Sequence, residues 1–140
     1  MICVIRIRGQ VGVKKDVKGT LHRLRLRRKY SCVVIPNPSK PFLGMVKKVK
    51  DCVAYGTIDD ETFIKLIEKR GQLIDKNKKI NAKKVVEELK KGKKYEELNL
   101  KPFFRLHPPR GGLKSSKLHF PKGVLGDHKE KIKDLVLRML

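Results

Sequence analysis

The chain has 140 residues and a formal net charge of +22, from 36 Lys/Arg against 14 Asp/Glu. A hydrophobic share of 39% excludes wholesale disorder and allows one domain with a modest core. No window approaches the ~18 apolar residues of a membrane span, and the opening MICVIRIRGQ is charged too early for a signal peptide.

Ile2–Arg8 alternates, with Cys3, Ile5 and Ile7 on one face and Val4, Arg6 and Arg8 on the other, so a strand begins at once. Gly9 and Gly12 mark the turn that follows. Val17, Leu21 and Leu24 then predict a helix over 15–28, whose C-terminal end carries His22, Arg23, Arg25, Arg27 and Arg28, with Lys29 just beyond it. Cations there suit the helix dipole, but that modest effect does not explain so many arginines. Ser31–Ile35 is a β-branched run and predicts a second strand, ended by Pro36-Asn37-Pro38. From Pro41 a stripe of Phe42, Met45, Val46, Val49 and Val53 predicts one helix, closed by Gly56.

Asp59-Asp60-Glu61 opens the next helix, with Phe63, Ile64 and Ile67 on its apolar face and Gly71 at its C-terminus. Asn81 caps a shorter one carrying Val85, Val86 and Leu89 and ended by Gly92. Phe103–Leu106 is apolar and aromatic and predicts a third strand. A basic loop follows, and Ile132, Leu135, Val136 and Met139 predict a final helix from about His128. These elements imply an α+β fold with helices on one face of a small sheet. The chain divides into a first part of the core at 1–57, a helical insertion at 58–100, the third strand at 101–107, the basic loop at 108–127 and a C-terminal helix at 128–140.

Charge is unevenly spread. Residues 1–50 hold fourteen Lys/Arg and the single acid Asp16, and residues 98–126 hold six Lys/Arg and no acid. Residues 52–97 balance twelve Lys/Arg with nine acids and read as an ordinary solvated surface. Self-repulsion at +22 destabilises the isolated chain, so a polyanion on the two unbalanced flanks is expected, and RNA is the leading choice. Arginine favours this reading over a merely solvated helix end, because its planar fork matches phosphate oxygens.

Three segments carry the signal. In the first turn, Arg8, Lys14 and Lys15 flank a Gly-x-x-Gly pair that fits neither a dinucleotide nor a P-loop pattern. A KH clamp needs that pair between two helices, and here it follows a strand. The second segment is Arg23–Lys29; Tyr30 beside it reads as a core or strand-edge residue. The third is Arg105–Lys122, RLHPPRGGLKSSKLHFPK, where proline and glycine preclude regular structure throughout. Its Arg105, Arg110, Lys114, Lys117 and Lys122 suit phosphates, Gly111-Gly112 permits close backbone approach, and His107, His119 or Phe120 suits stacking or packing. The loop is expected to be mobile alone and ordered on RNA.

Catalysis and cofactors have no support. His107 and His119 lack a neighbouring carboxylate or nucleophile in sequence. Cys3, Cys32 and Cys52 lie among apolar residues, form no CxxC pair, lack metal-ligand spacing with His22, His107, His119 or His128, and read as reduced core thiols of a cytosolic protein. No cofactor, metal or small-molecule substrate is expected.

The segments IRIRG, TLHRLRLRRKYSCVVIPN, PFLGMVKKVKDCVAYGTID, DETFIKLIEKRG and FRLHPPRGGLKSSKLHFPKGVLG resemble the L-thirty family of large-subunit ribosomal proteins, whose eukaryotic members are called L-seven. The likeness runs nearly end to end, and the central insertion and C-terminal extension are of archaeal type. It implies a three-stranded antiparallel sheet, somewhat ferredoxin-like, packed on two helices. It also implies a structural, non-catalytic place in the large subunit on its rRNA, with 5S rRNA nearby and ribosomal proteins as neighbours. The contacts it implies map to Arg8–Lys15, Arg23–Lys29 and Arg105–Lys122. The alternative reading is a free RNA chaperone or regulator that uses the same patches transiently.

Overall fold

The computed structural model describes all 140 residues. Strand β1 (Ile2–Arg6) lies at the centre of a five-stranded sheet, antiparallel to β2 (Ser31–Ile35) on one side and β3 (Val53–Thr57) on the other. Val4 is in register with both Val33 and Tyr55. Two short strands widen the sheet. β4 (Phe104–Arg105) runs antiparallel to β2, and β5 (Gly126–Asp127) runs parallel to β3.

The α+β class is correct, but the three-stranded sheet differs in detail from expectation. The third central strand is Val53–Thr57, which the apolar stripe had joined to the preceding helix. That helix, α2 (Lys40–Lys48), ends eight residues before Gly56. The stripe misleads because the chain turns without changing its burial partners. Val46 and Val49 from the helix side and Cys52 and Val53 from the strand side all enter one cluster. The turn closes with Cys52 N donating to the Val49 carbonyl at 2.8 Å. Phe104–Arg105 is therefore an edge strand, not the third core strand.

The helices also cover both faces of the sheet, not one. Alternate residues of β1 and β2 explain this. Val4 and Val33 meet Leu21 of α1 (Lys15–Arg23), Leu24 just beyond it and Val46 of α2. Cys3, Ile5, Cys32 and Val34 meet a larger cluster on the opposite face. It is built from Phe63 and Leu66 of α3 (Asp60–Arg70), Val85 and Leu89 of α4 (Ala82–Lys90), and Ile132 and Val136 of α5 (Ile132–Met139). Strands apolar on both faces need cover on both. The segment read as an insertion thus supplies much of one face's cover.

Local signals set the helix starts. Ser39 accepts from Phe42 N at the start of α2, and Asn81 accepts from Lys83 N at the start of α4. Cys3, Cys32 and Cys52 are free and buried, with Cys3 and Cys32 Sγ atoms 3.4 Å apart. No group of three or more His, Cys, Asp or Glu could hold a metal ion, and no helix is long and apolar enough to cross a membrane.

Gly56 does not close a helix. It sits in β3 where a single 3₁₀ turn (Lys129–Lys131) and α5 press on the sheet. A Cβ here would collide with the Lys129 carbonyl oxygen and lie 3.0 Å from Ile132 Cβ. Gly56→Ala is expected to lower stability by about 1–3 kcal/mol through overpacking, read as a drop in urea midpoint at unchanged slope. A wild-type midpoint would show that the turn moves aside freely.

Candidate nucleic-acid interface

The site starts from a residue that the alternation placed on the strand face opposite Cys3, Ile5 and Ile7. Arg6 is 3% exposed, on the strand face it shares with Val4. Its Nε donates to the Arg8 carbonyl at 2.9 Å and its Nη2 to Gly9 at 3.1 Å. Its Nη1 donates to Leu26 at 2.7 Å and Arg27 at 2.9 Å. Burial lowers the guanidinium's proton affinity from its ordinary value, against a smaller opposing effect of Cys52. The four acceptors come from the two loops that carry the first basic residues, so one buried cation fixes both.

The second loop begins earlier than the helical spacing suggests. Helix α1 stops at Arg23, and Arg25 takes the left-handed backbone at φ 62°. Leu26 N donates to the Leu21 carbonyl at 2.9 Å and Arg25 N to His22 at 3.0 Å. This is a Schellman termination, completed by the fully buried Leu26 sharing a cluster with Leu21. Leu24 and Leu26 point inward while Arg25, Arg27 and Arg28 are exposed. The arginines therefore stand on an irregular loop with fixed backbone, not along a helix. Glycine normally fills the left-handed position, and a side chain there costs roughly 1–2 kcal/mol.

Strand pairing brings in the third segment. Ser31 pairs with Arg105, far away in the chain. A cleft of about 440 Å³ results, lined by Arg25, Arg27, Arg28 and Arg105 with Ser31, Pro102 and Phe103. The Arg105 guanidinium lies 5.9 Å from the Phe103 ring centre. One acid reaches the rim, Glu96, whose Oε1 is 3.7 Å from Arg25 Nη2; both side chains are more than half exposed, so the pair is weak. A second hollow of about 280 Å³ adjoins through Arg27 and is lined by Arg6, Gln10, Lys18 and His22.

The remaining expected residues are spread more widely. Arg8, Lys14, Lys15 and Arg23 are exposed around α1 and the turn before it. Lys29 is exposed but sits 4.9 Å from the ring centre of Tyr30, which packs on the larger core. Arg110, Gly111 and Gly112 form a tip clipped to α5. Arg110 N donates to the Arg138 carbonyl at 3.0 Å, Arg138 Nε donates back to Arg110 at 2.9 Å, and Arg138 Nη2 donates to the Gly112 carbonyl. His107 is exposed, and its backbone N donates to Met139. Lys114, Lys117 and Lys122 are exposed. His119 Nε2 meets Asp51 Oδ1 at 2.7 Å, a carboxylate distant in sequence.

The basic segment is not a free arm. Val124 N donates to the Ser115 carbonyl and Leu125 N to Leu118, while Phe120 N donates to Leu125. Its backbone groups find partners in α5 and in its own return, which sequence spacing does not display. Sequence reasoning missed Arg6, Lys18, His22 and Phe103 as lining residues, and reached Gln10 only within the span Arg8–Lys15. Only Arg6 left a signal: a charge inside a strand whose neighbours are all apolar.

The family model for ribosomal protein L30p/L7e matches residues 2–53. That match covers both Arg6-anchored loops and points to ribosomal proteins of this class, which relatives aligned over nearly the whole chain bear out. Over 99% of both chains it is 44% identical to large ribosomal subunit protein uL30 of Archaeoglobus fulgidus. It is 42% identical to uL30 of Methanococcus vannielii, over 98% of this chain and 97% of that one. With uL30 of Nanoarchaeum equitans it shares 39% identity over 100% and 99%. The chain belongs to the uL30 family of large-subunit ribosomal proteins, in its archaeal form. It is a ribosomal constituent rather than an enzyme.

The strained loop and the buried imidazole each give a measurable expectation. Arg25→Gly removes backbone strain, so the free chain is expected to gain about 1 kcal/mol in urea unfolding while losing one cation from the cleft. Unchanged or lower stability would show that the Arg25 side chain holds the loop. His128 is 6% exposed, with Nε2 at 2.6 Å from the Val124 carbonyl. Burial lowers its pKa below the ordinary 6.5, opposed by that hydrogen bond and by Asp127. The unfolded chain then takes up the proton first. Its contribution is full above the unfolded value near 6.5 and is lost as pH falls through the folded one. His128→Gln is expected to flatten the fall in urea midpoint between pH 7 and 5; an identical slope assigns that fall to other groups.

Proposed function

We propose that the chain holds large-subunit rRNA through the arginine cleft and the basic hollow beside it. The observation that carries this is convergence. Arg25, Arg27, Arg28 and Arg105 come from two distant segments and line one cleft with a single weakly held acid at its rim. Like charges gathered without neutralisation repel one another, and a phosphate backbone relieves that repulsion. Guanidinium forks bind phosphate oxygens in pairs, and Arg6 fixes the loop that presents Arg27 before RNA arrives. Lys14, Lys15, Lys18 and Arg23 extend the field along α1, and the exposed cations of Arg105–Lys122 form a second flank. The mechanism is positioning and charge neutralisation, with no bond made or broken. The resemblance further supports 5S rRNA and other ribosomal proteins as neighbours.

The test is the salt dependence of binding to large-subunit rRNA fragments. Removing one cation from a phosphate reduces the slope of log K against log salt by roughly 0.7–0.9. The triple variant Arg27→Ala, Arg28→Ala, Arg105→Ala is therefore expected to lower it by about 2–3 units. A wild-type slope would mean that the cleft faces solvent in the complex.

A further inference from the structure

The arginine cleft does not end at its arginines. It runs on into an apolar groove of about 260 Å³, and Arg25 and Pro102 line both. The groove's walls include Leu24, Ile35, Phe42 and Met45, and Arg23 joins Arg25 at its rim. Phe42, Met45, Ile35 and Pro102 are all partly exposed, so the groove has an accessible apolar lining. A paired RNA helix presents phosphates, sugars and base edges, and keeps its base faces stacked inside. It would use the arginines and leave the apolar part empty. A hollow of about 260 Å³ has room for one ring or side chain rather than for a whole protein helix, about 10–12 Å across, and an acidic peptide finds nothing in its apolar walls to recognise.

From this adjacency of phosphate-matching forks and an apolar slot, we propose that the cleft seats one unpaired, unstacked nucleotide of RNA, such as a bulge. The inference rests on the rRNA reading above and specifies what that site takes. The base enters the groove against Phe42 and Met45, where an aromatic face and a polarizable thioether accept any base. Its flanking phosphates lie on Arg25 on one side and on Arg27, Arg28 and Arg105 on the other. Arg25 leaves Glu96 to do so, a small cost for an exposed pair.

The experiment compares two RNA hairpins that differ only in a single bulged 4-thiouridine, with the full chain at fixed salt. The bulged hairpin is expected to bind about tenfold or more tightly than the fully paired one, and irradiation should crosslink the bulge within Phe42–Met45 or at Pro102–Phe103. Phe42→Leu keeps an apolar side chain but removes the aromatic face, and should reduce the preference severalfold; Met45→Gln, on the same wall, should do likewise. Equal binding of the two hairpins, with normal salt dependence, overturns the nucleotide seat and leaves the rRNA reading standing. Absence of salt-dependent binding to either hairpin removes both readings. A bulge preference that survives both variants, with crosslinks elsewhere, places the bulge at another site and overturns the seat.

Discussion

The buried guanidinium of Arg6 is the constraint on which the basic surface depends. A charge taken out of water is costly unless its hydrogen-bonding capacity is met. Here four carbonyls meet it, at 2.7–3.1 Å. Each hydrogen bond to a charged group contributes roughly 1.5–3 kcal/mol, and the dependence runs both ways. Without the cation, the carbonyls of Arg8, Gly9, Leu26 and Arg27 would share no common donor. Lysine cannot replace it, because a single ammonium lacks the planar fork that reaches two loops at once. The order of events is thus inverted from a simple reading of charge. The arginine that matters most for the cleft is buried and serves by shaping the backbone beneath the ones that reach out.

Around that anchor the free chain tolerates features that do not stabilise it. Arg25 sits in a backbone region that glycine prefers. Four arginines converge where only Glu96 offers a counter-charge. Sites where local preference conflicts with the fold mark function when the conflict serves a ligand. Both conflicts meet in the same cleft. The apolar core on each face of the sheet absorbs their cost: Val4, Leu21, Leu24 and Leu26 on one side, and the cluster around Phe63 and Phe104 on the other.

Much of this was legible in the sequence, for definable reasons. Local signals such as the Asn81 cap, the alternation of Ile2–Arg8 and the helical spacing of Ile132–Met139 gave elements that the structure reproduces. The failures share a cause. A stripe records which residues are buried, not whether the chain turns between them, so Val53 read as helix when it starts a strand. Likewise Leu21, Leu24 and Leu26 are all buried, but a Schellman turn lies between them, and an arginine where glycine is usual hid that turn. The family resemblance named the right ribosomal class where charge alone named only a polyanion partner. The groove was invisible for another reason: Phe42 and Pro102 lie far apart in the chain, and only the packing joins them.

That separation bears on how the site is assembled. Residues 2–53 contain β1, α1, β2 and α2, with Arg6 and three of the cleft's four arginines. They do not contain the fourth. Arg105, Pro102 and Phe103 arrive only when β4 docks on the edge of β2, a pairing of two residues per strand. So short an edge cannot hold itself. It is held because its own Phe104 enters the larger core, edge-on to Phe63 and Tyr95 at 6.2 and 6.4 Å. The Tyr95 hydroxyl then donates to the Val34 carbonyl at 2.5 Å, fastening the segment before β4 to β2 itself. Closing that long loop costs entropy that grows only slowly with its length, and burial of Phe104 offsets it. The aromatic residue between Phe103 and Arg105 is therefore the link by which the core of one face completes the cleft lined from the other.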